Sequence, residues 1–227
     1  MKYGCMIAAI AVLALAAGGV EADPGSGPYV IPNFRYLNEV APRALEAYEE
    51  TGEWIEIFNP HGYPFDISEL GIYDNNTFDQ ALEDYPYDPF VPGMIIPPHG
   101  FAIVMDMKEE GEYIEGKTYD AVCDYIYAHS MQNKVIFLCP ADDAIGDGLH
   151  NREDQLGVVG DAYVIRPDGD VRVAVASKVA WNLGTSMPDY QSWQFVGTWY
   201  RLPWTPGWYN HRDPLAKDTT VSPVLSK

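Results

Sequence analysis

The chain has 227 residues, 47% of them hydrophobic and 13% aromatic, enough apolar mass to bury the core of one large domain or two small ones. Its 33 Asp and Glu against 14 Lys and Arg leave a formal charge of −19, which argues against nucleic acid or an anionic membrane surface as a partner. The same charge suits solubility, cation binding or a saline setting and does not choose among them.

At the N-terminus, Met1 and Lys2 lead into an apolar run over 6–17, then Gly18, Gly19 and Val20-Glu21-Ala22. This is the form of a secretory signal peptide over 1–22, cleaved after Ala22, with an uncleaved anchor as the alternative. The run is shorter than the roughly 17–25 residues of a spanning helix, so no transmembrane segment is expected in the mature chain. Residues 23–30 form a Gly/Pro-rich linker, and the following domain, 31–210, is expected outside the cytoplasm, extracellular or in the cell envelope. The tail over 211–227 lacks periodicity and aromatic residues and reads as flexible.

Short β-type runs then alternate with Pro/Gly punctuation, at 34–40, 53–58, 101–105, 134–138, 163–165, 171–176 and 193–196. In the second, Ile55 and Ile57 fall on one face and Trp54, Glu56 and Phe58 on the other. Asp168-Gly169 between two apolar runs is a hairpin signal, because that turn needs positive φ. Two helical interruptions are expected. One covers 42–50, with Pro42 in its first turn and Gly52 past its end. The other covers 119–128, where Tyr119, Val122, Cys123, Ile126 and Tyr127 make an apolar stripe. Many short strands with irregular turns predict an all-β sandwich or barrel rather than alternating β-α units.

Beyond the leader two cysteines remain, Cys123 and Cys139, and an oxidising compartment makes a disulfide between them the first reading, with two buried free thiols as the alternative. The bond would close a loop of about 15 residues, for which the chain-entropy treatment gives about 3 kcal/mol.

Several strings resemble lamin-tail domains. Tyr36-Leu37-Asn38-Glu39-Val40-Ala41-Pro42, Gly52-Glu53-Trp54-Ile55-Glu56-Ile57-Phe58-Asn59-Pro60 and Asp66-Ile67-Ser68 with Leu70 are similar to that family's opening. Ile95-Ile96-Pro97-Pro98-His99-Gly100-Phe101 resembles its turn into the next strand, with His99 in place of a glycine. Gly160 to Gly169 is similar to its hairpin, and Ser192-Trp193-Gln194 with Thr205-Pro206-Gly207-Trp208-Tyr209-Asn210 to its close. The resemblance spans Tyr36 to Asn210 and implies an immunoglobulin-like β-sandwich with short helical insertions. The chain departs from the pattern by extra length at 78–94 and 107–133.

Read on their own chemistry, Trp54 and Trp193 are core anchors and Asn59 is a turn residue holding its own backbone. Glu56 reads as a rim carboxylate accepting backbone donors. The five histidines are scattered without metal-ligand spacing, and no nucleophile elbow or phosphate-cradling loop occurs, so no catalytic residue and no cofactor are expected. The acidic glycine loop carrying Asp142, Asp143 and Asp147 is a calcium candidate, though its spacing is not that of an EF-hand. Asn75 opens a glycosylation acceptor. Trp199, Tyr200, Trp204, Trp208 and Tyr209 crowd one segment and form a candidate patch for stacking on sugars or peptides, or else close one end of the sandwich. The functional expectation is a secreted or cell-surface non-catalytic module that meets a protein or glycan or plays a structural role. The alternatives are an accessory domain of a secreted hydrolase or nuclease system and a calcium-dependent adhesion module.

Overall fold

The two-residue period of β2 (Trp54–Phe58) sorts its side chains onto opposite faces, and a different part of the molecule covers each. The computed structural model describes residues 36–43, 45, 52–74, 77–79, 82–85, 88–105, 117–141, 145, 148–150, 152–183, 186–195 and 199–208. In it Ile55 and Ile57 enter a core between two β-sheets, while Trp54 and Phe58 belong to a second apolar cluster on the outer side.

The larger sheet runs in the order β12 (Trp199–Pro203), β11 (Gln191–Phe195), β1 (Leu37–Ala41), β2, β7 (Phe101–Met105), β8 (Val135–Pro140) and β5 (Leu82–Asp84). The smaller runs β10 (Val171–Asn182), β9 (Glu153–Val164), β3 (Phe65–Asp74) and β4 (Thr77–Asp79), with β6 (Ile95–Ile96) also pairing β3. Leu37, Val40, Ile55 and Trp193 from the first pack with Phe65, Ile72, Leu156 and Val158 from the second, so the fold is an all-β sandwich.

β7 and β8 pair in parallel, the one such pairing among the described strands. Parallel neighbours need a crossover, and this one carries α1 (Lys117–Ala128) across the outer face of the larger sheet. The expected stripe is present in part. Val122, Cys123 and Ile126 are buried against Phe101, Ile103, Val135 and Phe137, whereas Tyr127 is exposed. Among the described residues no helix is long and apolar enough to cross a membrane.

Three turns explain their sequences. Asn59 is wholly buried; its Nδ2 donates to the carbonyls of Tyr63 (2.9 Å), Ile96 (3.1 Å) and Pro97 (2.9 Å), and its Oδ1 accepts from His61 N at 2.9 Å. In the Pro-Pro-His-Gly turn His99 has φ +54°, and a Cβ on Gly100 would stand 2.3 Å from the Lys134 carbonyl oxygen. Gly169 has φ +127° in the β9–β10 hairpin, where Val164 pairs with Val171.

The leader over 1–22, the linker over 23–30 and the tail over 211–227 lie outside the described residues, as does most of the helix expected over 42–50.

Candidate functional site

β1 and β2 place two glutamates directly opposite one another, Glu39 against Glu56, on the outer face of the larger sheet. Both side chains are wholly buried. Glu39 accepts hydrogen bonds from Ser192 Oγ (2.6 Å), Thr205 Oγ1 (2.8 Å), Thr205 N (3.0 Å) and Gln194 Nε2 (3.4 Å). Glu56 accepts from Gly207 N at 2.6 Å and Asn38 Nδ2 at 2.5 Å. The pair therefore fastens the segment after β12 onto the sheet. Gly207 is required there: its φ is +69°, and a Cβ would lie 2.7 Å from Val135 Cγ2.

Burial lifts both carboxyls. It pushes Glu39 up to about 7 against the pull of its hydrogen bonds, and it holds Glu56 well above the usual carboxylate range, with the charge of Glu39 adding to the rise. Glu39 accepts four hydrogen bonds to Glu56's two, the stronger pull against burial. Glu56 accepts a backbone donor, Gly207 N, as expected, but it is wholly buried and not at a rim. The side chains of Trp54 and Phe58 that share its face are covered by α1 and by Trp204, and Glu56 is covered with them.

The fastened segment forms one wall of a cleft of about 360 Å³, and α1 forms the other. Pro203, Trp204 and Pro206 face Ala121, Asp124 and Tyr125, with Tyr190 at the rim. Tyr190 is 57% exposed, and its ring centroid lies 5.4 Å from that of Trp204. Trp204 is held on three sides: its indole N–H donates to Gln191 O (2.7 Å), its backbone N–H to Tyr190 O (3.0 Å), and Trp54 packs against it at 80° and 5.5 Å. Tyr125 stacks on His129 at 4.0 Å, and burial, then the charges of Glu39 and Glu56, raise its phenol above the ordinary value.

Comparison with protein-family models, with curated proteins and with solved structures finds no match.

The structure divides the aromatic patch read from the sequence. Trp199, on β12, is buried in the core between the sheets, and Trp204, just past the end of that strand, is buried in the outer cluster. Tyr200 is exposed, Trp208 is half-buried with its ring 5.4 Å from His129, and Tyr209 lies outside the described residues. Trp54 and Trp193 are wholly buried, as expected of core anchors.

Cys123 and Cys139 are free thiols, both buried, and the expected disulfide is not formed in this structure. Cys123 is held on α1, hydrogen-bonded to Tyr119, and burial pushes it up to about 12; Cys139 Sγ sits 3.9 Å from Glu83 O on the neighbouring β5. Asp142, Asp143, Asp147 and Asn75 lie outside the described residues. No group of three or more His, Cys, Asp or Glu able to hold a metal occurs among the described ones. Arg166 and Arg172 are paired with Asp168 (2.8 Å) and Asp161 (2.5 Å).

Tyr125, Asp124 and Tyr190 were not singled out from the sequence. Tyr125 falls off the apolar stripe of α1, and Tyr190 sits in a turn whose approach to α1 is set by the crossover.

Proposed function

We propose that the chain is a secreted or cell-surface, non-catalytic binding module of lamin-tail type, with an immunoglobulin-like sandwich, and that it meets a protein or glycan through the cleft between α1 and the 203–206 segment. The observation that carries this reading is the cleft itself, where a strongly exposed tyrosine stands beside a rigidly held tryptophan and two prolines. Exposed aromatic surface at a cleft has a ready role in recognition.

The family reading is supported by the series of motifs and by the physical work some of them do. Glu39, Glu56, Thr205 and Gly207, each within a matched motif, form one hydrogen-bonded fastener. The turn at His99 and Gly100 needs left-handed φ at one position and no side chain at the other. The two buried carboxyls are enclosed by protein and offer a reactant no approach, so their role in this reading is to build the cleft wall. The apolar N-terminal run supports secretion, and the −19 charge argues against a nucleic-acid partner.

The test is a binding panel of cell-surface glycans and short peptides, read by intrinsic tryptophan fluorescence. Tyr190→Ala should abolish the response of any member that binds, while Tyr63→Ala, removing another exposed ring elsewhere, should not. Binding that is indifferent to Tyr190 places the ligand face elsewhere.

A further inference from the structure

The cleft is mostly apolar, and its charged member is a carboxylate. Tyr125, Tyr190 and Trp204 supply three aromatic rings, and Pro203 and Pro206 stiffen one wall. No Lys, Arg or His lines it. Asp124 is exposed there and, among the described residues, engaged in no ion pair. Asp120 lies one turn away on α1. Behind the wall, Glu39 grips Thr205, the residue between Trp204 and Pro206, so a buried carboxyl lies directly beneath the apolar surface. Asp189, the residue before Tyr190, is paired with Arg43 at 2.8 Å.

Aromatic faces with a carboxylate and no cation among the lining residues are the chemistry of ammonium recognition, since a ring's negative face and a nearby charge both replace the water a cation sheds. An anion is repelled by the same groups. A neutral sugar needs several hydrogen-bonding groups to fix its hydroxyls, and this lining offers few. We infer that the cleft takes a lysine side chain of a protein partner, its methylene stem along the proline–tryptophan wall and its ammonium among Tyr190, Tyr125 and Asp124. A long aliphatic stem ending in a charge matches an apolar wall ending in a carboxylate. This rests on the reading of the cleft as the binding face and names what that face recognises.

The experiment titrates the full chain at physiological salt with three peptides differing at one residue, lysine, trimethyllysine or norleucine, and with a chito-oligosaccharide. A single charge on the probe keeps the −19 surface from dominating. Lysine and trimethyllysine peptides should bind, with norleucine about tenfold weaker or worse, and Tyr190→Ala and Asp124→Asn should each weaken the lysine peptide by about threefold to tenfold. Equal binding of norleucine, or lysine binding untouched by Tyr190→Ala, overturns cation recognition. Tyr190-dependent binding of the saccharide alone overturns the lysine inference and leaves the cleft as the binding face. Silence from all four probes overturns both.

Discussion

Replacing Glu39 by glutamine removes a charge that the fold buries at a cost, and the effect is legible in how stability depends on pH. The carboxyl titrates at 4.5 when exposed and at about 7 in the fold. Between those values the folded chain binds more protons than the unfolded chain, so this group's contribution to stability falls as pH rises and is lost above about 7. At about 1.4 kcal/mol per pH unit, the loss is about 3 kcal/mol. Glutamine keeps an acceptor for Ser192 and the Thr205 amide, and the Thr205 hydroxyl can turn to accept from its amide. Glu39→Gln should therefore match the wild type near pH 4.5 and exceed it by about 3 kcal/mol near pH 8. Other groups also titrate: Asp88, lifted to about 6 by burial, acts in the same direction, and His61, pushed down to about 4 by burial and by His99, acts in the opposite one. The difference between the two proteins, from urea unfolding followed by tryptophan fluorescence across pH 4.5–8.5, cancels those groups. A difference that stays flat, or a variant less stable at pH 8, refutes the account of Glu39 as a buried carboxyl at its own expense.

Gly207→Ala forces a side chain into left-handed backbone and against Val135, and should cost about 2–4 kcal/mol in urea unfolding; a wild-type midpoint would show that the segment sits differently. Cys123 and Cys139 should react with Ellman's reagent only after unfolding, because both are buried and the Cys123 thiol is pushed up to about 12. A denatured chain that still shows neither thiol would establish the disulfide instead. Protein recovered from the medium or envelope should begin at or near Asp23, whereas a soluble cytosolic form starting at Met1 contradicts secretion.

What the sequence discloses follows from how local each signal is. The run over 101–105 matches β7 to the residue, since Gly100 and the preceding prolines bound it sharply. β9 and β10 extend to twelve residues each, well beyond their apolar runs, because Gly157 and Gly160 read as punctuation and the outer stretches carry Glu153, Asp154, Ser177 and Asn182. β3 escaped the strand reading, since Asp66, Ser68, Glu69 and Gly71 hide its alternation. Of the site, Trp204 was named and Tyr125, Tyr190 and the Glu39–Glu56 pairing were not. Their adjacency depends on register between β1 and β2 and on where the crossover lays α1, and neither is written in local spacing.

The most direct test of the cleft as the binding face is an NMR titration of the ¹⁵N-labelled chain with the trimethyllysine peptide and its norleucine counterpart, following the Trp204 indole N–H that donates to Gln191. Either peptide should shift that resonance together with the amides of Ala121, Asp124, Tyr125 and Tyr190, and leave the β9–β10 hairpin unmoved. Shifts gathered instead around His150, Asp154 and Trp181, which line a separate cleft, or no shifts at saturating peptide, would contradict it.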